Sequence, residues 1–413
     1  MRTLKLPTAD GTLAGYTLTG NTLAAAPAPR PRWNRIAFAA VHVVADPRAN
    51  VDPWLAAAVD WDATLAYRRY LWAQGLGVAE AMDTAQRGMG LDWPTSLELI
   101  RRTVAEARHV EGAVVFSGAG TDDVKPDTAG SIDRIVDAYA AQCAAIERAG
   151  GRVILMASRA LAACARSADD YVHVYSRVLA NVGQPVILHW LGEMFDPALA
   201  GYWLGRDERG RDPDHARAMD VCASVIAANR SKVDGIKISL LDAQKEVALR
   251  GRLPSGVRMY TGDDFNFAAL IGGDASGHSD ALLGIFDAIA PAASAALSAL
   301  ANGDRARFDA ILAPTVPLSR HIFAAPTRFY KTGVVFMAWL NGHQEHFTMV
   351  NGQQSARGIV HLAELFRLAD AAALLRDPDV AVARMHTLLA LHGVELARRA
   401  KPSPAGPDGA RNE

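Results

Sequence analysis

Hydrophobic and polar positions alternate in blocks along most of the chain. Short apolar runs recur from residue 36, each followed by a longer amphipathic stretch: IAFAAVHVVAD (36–46), GVAEAMD (77–83), GAVVFSGAG (112–120), RVILMAS (152–158), PVILHWLG (185–192), VDGIKIS (233–239) and VRMYTGDD (257–264). Stretches between them, such as SLELIRRTVAEARHV and SIDRIVDAYAAQCAAIERAG, repeat apolar residues at i, i+3, i+4 and i+7, the helical period. Runs that are apolar without a two-residue alternation belong to strands covered on both faces, as in a parallel sheet. Seven strand–helix units are visible, and SGHSDALLGIF (276–286) supplies an eighth. The pattern predicts an α/β chain, a (β/α)8 barrel over residues 36–290. An open doubly wound sheet is the competing fold, but no GxGxxG or GxxxxGKS/T follows any of the runs.

The flanks differ in texture. Residues 1–35 are polar and close on AAAPAPRPRW, which reads as a small hairpin and a stiff linker. From residue 291 to 400 the periodicity is helical throughout. The tail KPSPAGPDGARNE (401–413) has no apolar period and is expected to be flexible.

Composition narrows the function. The 413 residues are 50% hydrophobic and 21% charged, ample for a large core. Lys and Arg number 43 against 44 Asp and Glu, so no field is available to hold a nucleic acid or an anionic membrane. No run reaches the roughly 18 apolar residues a membrane span needs. The first residues show no apolar signal core. Cys143, Cys164 and Cys222 are too few and too scattered for a disulfide framework or a thiolate zinc site. A cytoplasmic protein acting on a small molecule is expected.

In a barrel the chemistry sits at the C-terminal ends of the strands. The polar residues there are His42 and Asp46, Asp83 and Thr84, Ser158 and Arg159, His189 and Glu193, Lys237 and Ser239, and Asp263 and Asp264. Lys237 stands out because it lies inside an apolar strand. Burial favours its neutral amine, which can attack a carbonyl to form a carbinolamine and then an iminium that stabilises an adjacent carbanion. A lysine salt-bridged to a strand-end carboxylate is the bland alternative.

At these residues the sequence resembles the dihydrodipicolinate synthase and N-acetylneuraminate lyase superfamily of Schiff-base aldolases. The family's imine lysine sits in a sixth-strand G-I-K motif, matched by Gly235, Ile236 and Lys237. Its seventh-strand G-D-D turn is matched within YTGDDFNFAALIGG (260–273), and SGHSDALLGIFDAIAP has the layout of the segment that follows. VDWDATLAYRRYLWAQGLGVAEAMDT (59–84) is similar to the family's opening. The resemblance implies a class I lyase without cofactor, assembled as a dimer or tetramer. There are departures. The G-T-T-G-E cradle for a 2-oxo acid carboxylate reads Asp83-Thr84-Ala85-Gln86-Arg87, keeping only Thr84. His189 stands where the family's fifth strand carries a proton-shuttling tyrosine, and Ala157-Ser158-Arg159 replaces Pro-Tyr-Tyr. An insertion over 201–218 is expected to overhang the mouth.

The reading that follows makes Lys237 the imine former on a sugar-derived oxo compound or 2-oxo acid, with Thr84 and His189 relaying protons. Arg159 would hold an anionic group, a task for which Arg87 is a weaker candidate; Ser158, Asp83, Asp263, Asp264 and Ser239 complete the substrate site. A second reading uses His42, Asp46, Glu193 and His278 as ligands of a divalent metal in a lyase, hydrolase or isomerase. A third is a barrel that binds a sugar-like ligand without catalysis. The aromatic stretch 326–358 is expected to pack over the mouth or against a second subunit, and its apolar area argues for a homo-oligomer.

Overall fold

The computed structural model describes residues 3–23, 31–124, 131–205 and 214–394. The centre of the 201–218 insertion and the 401–413 tail lie outside these. An antiparallel hairpin, β1 (Thr3–Pro7) and β2 (Leu13–Thr17), opens the chain. Eight parallel strands then close a barrel: β3 (Ala37–Ala40), β4 (Gly77–Glu80), β5 (Val115–Ala119), β6 (Arg152–Leu155), β7 (Val186–Leu191), β8 (Val233–Ser239), β9 (Arg258–Thr261) and β10 (Asp280–Leu283). Each pairs with its neighbour in sequence, and β10 returns to β3. All eight predicted apolar runs are barrel strands, and Lys237 lies in the sixth.

Side-chain parity assigns the two faces of each strand. Phe38, Ala40, Ala79, Phe116, Ile154, Ile187, Tyr260 and Leu282 pack into one internal cluster, the plug of the barrel. Its aromatic members meet edge to face, Phe38 against Phe116 at 5.3 Å and against Tyr260 at 6.1 Å. Gly235 is required here, because a Cβ on it would stand 2.6 Å from the Tyr260 ring. Following Ile187 and Gly235 by twos leads inward to His189 and Lys237.

Outward-facing residues meet the helices. Asp60 caps Trp61–Ala73, Asp92 caps Trp93–Ala107 and Ser131 caps Ile132–Arg148, each accepting a backbone N–H of the first turn. Glu80, outward on β4, accepts both Arg68 Nε and an Nη at 2.9 Å, and the Thr103 hydroxyl at 2.7 Å. Arg68 also donates to the His42 carbonyl, so one fully buried ion pair joins β3, β4 and two helices.

After β10 come Ala290–Ala301, Arg305–Leu312, Thr315–Ile322, Tyr330–Leu340, Ile359–Ala371 and Pro378–Leu391, all helical. Every residue of Tyr330–Leu340 is buried. The 326–358 stretch packs over its own barrel mouth: Gln86 donates to the Val350 carbonyl at 2.7 Å and Gln353 to the Met89 carbonyl at 3.0 Å. The apolar area that argued for a second subunit is therefore covered within one chain. The hairpin is tied to the same region, since Asp370 accepts Tyr16 Oη at 2.7 Å and the Thr19 N–H at 2.8 Å. Among the described residues no helix is long and apolar enough to cross a membrane.

The buried pair makes a stability prediction. Glu80→Ala strands the Arg68 charge and should cost about 3–5 kcal/mol in urea unfolding, whereas Arg68→Leu with Glu80→Leu should recover most of the loss. A Glu80→Ala cost below about 1 kcal/mol would show that the pair does not hold these layers together.

Candidate active site

Beyond the plug, the inward positions toward the C-terminal ends are small or polar: Gly118, His189, Lys237, Ser239, Gly262 and Asp264. Gly262 is required by the lysine, for a Cβ there would lie 2.8 Å from Lys237 Cε and collide with Ser239 Oγ. Lys237 is 4% exposed and, among the described residues, has no carboxylate within 4.0 Å. The salt-bridged alternative does not describe it. Burial lowers its pKa, an effect that Asp83 and Asp264 only partly oppose.

His189 is the register partner of Lys237 on the neighbouring strand, and both side chains face inward. Its Nε2 lies 3.3 Å from Ser239 Oγ. Burial and then the adjacent lysine hold the imidazole well below its ordinary pKa, so it is neutral. Asp264 continues the inward parity of Tyr260 and Gly262, accepts the Ile285 N–H at 2.8 Å, and is pushed by burial up to about 8. Asp263 has the opposite parity. It accepts Phe265 and Asn266 N–H groups and the Asn266 amide, so it shapes the turn rather than the cavity.

Asp83 and Thr84 sit in the turn after β4 and meet a residue the sequence reading missed. Tyr330 Oη donates to Asp83 Oδ2 at 2.6 Å and lies 2.6 Å from Thr84 Oγ1, giving an ordered chain from Thr84 through Tyr330 to Asp83. Burial keeps Tyr330 protonated. Burial alone would raise Asp83, but Lys237, Lys331 and His189 surround it and hold its carboxyl below the ordinary value. Lys331, the next residue along, was also missed. It stands just ahead of the apolar run GVVFMAWL rather than inside it, so it lacks the signal that marked Lys237.

A cavity of about 270 Å³ opens here, lined by Asp83, Arg87, Met89, Met156, Arg159, His189, Phe195, Asp196 and Lys331. Arg159 is at its outer edge, 43% exposed along the side chain and paired to Asp196 at 2.5 Å. Arg87 is buried and committed to Asp122, Gln142 and the Gly118 carbonyl. Ser158 caps the helix Arg159–Cys164 and bonds Thr121 at 2.6 Å, a positioning role.

The residues of the metal reading do not converge. His42 is buried and held by Asp287 through its backbone N–H and Nδ1, both at 2.8 Å. Asp46 turns to the Arg48 N–H, and Glu193 is exposed. His278 precedes Asp280, the first residue of β10, which puts it at the N-terminal end of the barrel, opposite the mouth. Among the described residues no three His, Cys, Asp or Glu side chains gather as a metal site.

Asp264 generates a pH prediction. Its carboxyl is raised from 3.8 to about 8 in the folded chain, so folding retains a proton that the unfolded chain releases. That contribution is fully present below about pH 4 and is lost as pH rises toward about 8. Asp264→Asn should flatten the fall in unfolding free energy across this window by up to about 1.4 kcal/mol per pH unit. Urea titrations at several pH values measure it, and an unchanged slope would mean that Asp264 is ionised in the native state.

The fold is shared with solved structures at low identity. YagE, a prophage protein belonging to the dihydrodipicolinic acid synthase family from E. coli K12, in complex with pyruvate, matches with a TM-score of 0.59 at 14% identity over 87% of this chain and 99% of that one. Dihydrodipicolinate synthase from Aquifex aeolicus matches at 0.57 and 12% identity over 88% and 99%. The 4-hydroxy-tetrahydrodipicolinate synthase of Methylacidiphilum fumariolicum SolV matches at 0.56 and 14% over 86% and 99%. No curated protein matches the sequence. The family model described as "Protein of unknown function (DUF993)" spans residues 4–394, so the chain belongs to that family, on a barrel of the dihydrodipicolinate synthase type.

Proposed function

We propose that the protein is a lyase of the class I aldolase type, with Lys237 as the imine-forming nucleophile and an oxo compound, either sugar-derived or a 2-oxo acid, as substrate. The observation that carries the reading is a buried, inward-facing amine in the sixth barrel strand with no carboxylate partner among the described residues. The barrel's likeness to lyases of the dihydrodipicolinate synthase family supports the class.

The chemistry follows from the neighbours. The neutral amine adds to the substrate carbonyl carbon, and the carbonyl oxygen takes a proton to give a carbinolamine. Loss of that oxygen as water leaves an iminium on Nζ, and the protonated Asp264 is the acid at hand for this departure. When the bond beyond the α-carbon breaks, its electron pair moves toward the iminium and forms an enamine. The proton of the leaving hydroxyl passes to the Thr84–Tyr330–Asp83 chain, which returns one to the α-carbon. Water then hydrolyses the imine and restores the amine. His189, neutral and adjacent, keeps a second base at the nitrogen. In this reading Tyr330 takes the tyrosine's part in the relay, from a helix beyond the barrel.

Two measurements test the reading. Borohydride trapping with a panel of 2-oxo acids and keto sugars should add the mass of a reduced adduct to the Lys237 peptide, and Lys237→Ala should abolish it; trapping undiminished in Lys237→Ala would end the Schiff-base assignment. Tyr330→Phe keeps the ring and removes the relay, so kcat should fall about 100-fold with KM changed far less. A variant with unaltered kcat would reduce Tyr330 to a packing residue.

A further inference from the structure

Lys331 presents an ammonium with no anion to meet it. It is 1% exposed, lines the cavity, and begins the apolar helix Tyr330–Leu340 beside Tyr330. Its Nζ donates to the Arg328 carbonyl at 3.0 Å, touches Met89 Sδ at 3.4 Å and stands 4.7 Å from the Tyr330 ring centre. Among the described residues no Asp or Glu lies within 4.0 Å of it. The three acids on the same cavity are engaged: Asp83 Oδ2 receives the Tyr330 hydroxyl, Asp122 holds Arg87, and Asp196 holds Arg159.

We propose that Lys331 is the anion anchor of this cavity, receiving the carboxylate of an oxo acid whose carbonyl is offered to Lys237. The proposal rests on the Schiff-base reading and selects oxo acids over neutral keto sugars as the substrate class. Three features support it. Lys331 lines the same cavity as His189, the register partner of Lys237 on the neighbouring strand, so a short molecule carrying a carbonyl and a carboxylate can reach toward both amines. The other cations at the mouth, Arg87 and Arg159, already have acidic partners. The carbonyl and the aromatic face beside Lys331 favour a cation, so burial lowers it only to about 8 and the charge persists at neutral pH. A neutral substrate would leave that buried charge unpaired, which a site discriminates against strongly.

The test compares pyruvate with hydroxyacetone, in which a neutral hydroxymethyl group replaces the carboxylate. In Lys331→Met, borohydride trapping of pyruvate on Lys237 should slow on the order of 10- to 100-fold, while trapping of hydroxyacetone changes less than about threefold. Calorimetric binding of pyruvate reads the anchor without the imine: Lys237→Ala should retain binding and Lys331→Met should lose it. A melting temperature for Lys331→Met and for Lys331→Gln, which keeps a polar end, separates loss of the charge from loss of the fold. Equal slowing for both carbonyls, an adduct on Lys331 itself, or no pyruvate binding to the unaltered protein at millimolar concentration would overturn the proposal. If Lys237→Ala is trapped as fast as the unaltered protein while Lys331→Met still loses pyruvate, the imine assignment fails and the anchor stands.

Discussion

Burying the Lys237 amine on the inner wall of β8, with no carboxylate among the described residues at contact distance, constrains the rest of the mouth. A primary amine in that position costs several kcal/mol if it stays charged and unpaired, so the surroundings favour its neutral form. It also needs space. Gly262, directly after β9, gives way to its Cε, and Gly118 across the barrel adds no side chain. Below it the aromatic plug of Phe38, Phe116 and Tyr260 fills the barrel, so the amine can be reached only from the C-terminal end. Site and core are thus consecutive layers of one set of inward-facing positions.

The mouth is completed by sequence far from the barrel. Tyr330 is 247 residues from Asp83, yet their oxygens are 2.6 Å apart. A helix that is apolar on every side has nowhere stable to go except between two packed layers, here the barrel mouth and the helices Ile359–Ala371 and Pro378–Leu391. The polar groups of its first turn are the exceptions: Tyr330 reaches Asp83 and Lys331 lines the cavity. The hairpin fastens the outer layer through Asp370, so the two ends of the described chain hold the helix that supplies Tyr330 and Lys331. The C-terminal helices are therefore part of the site.

The barrel was legible because a strand covered on both faces leaves a continuous apolar run, and eight of them recur. Lys237 was legible because it interrupts such a run. Parity separates Asp264 from Asp263, since only Asp264 is in step with Tyr260 and Gly262, although both lie past the end of the strand. His278 was misplaced because the run SGHSDALLGIF begins polar; its apolar part starts near Asp280, and residues ahead of a barrel strand lie at the closed end. Arg159 looked free because its partner Asp196 comes from another loop. Tyr330 and Lys331 were not legible as site residues, for nothing local to the 326–358 stretch says which barrel loop its first turn will meet.

The pairing of protonation states at the site is what the chemistry would use. Lys237 and His189 are both driven toward neutrality by burial, and Lys237 adds to the cost of charge on His189. Asp264, in the turn after the next strand, is driven the same way and so keeps its proton to about pH 8. Asp83 goes the opposite way, because three basic groups outweigh its burial, and Tyr330 stays protonated against it. Asp264 and Tyr330 therefore keep their protons at neutral pH, while burial favours the unprotonated forms of Lys237 and His189, in one shell closed by the plug below. An amine with an acid one strand away can add to a carbonyl and see its oxygen leave as water without either group first exchanging protons with solvent. A charged Lys237 beside an ionised Asp264 would have the same net charge and could do neither step, so it is burial, acting on both groups at once, that makes the pair chemically competent.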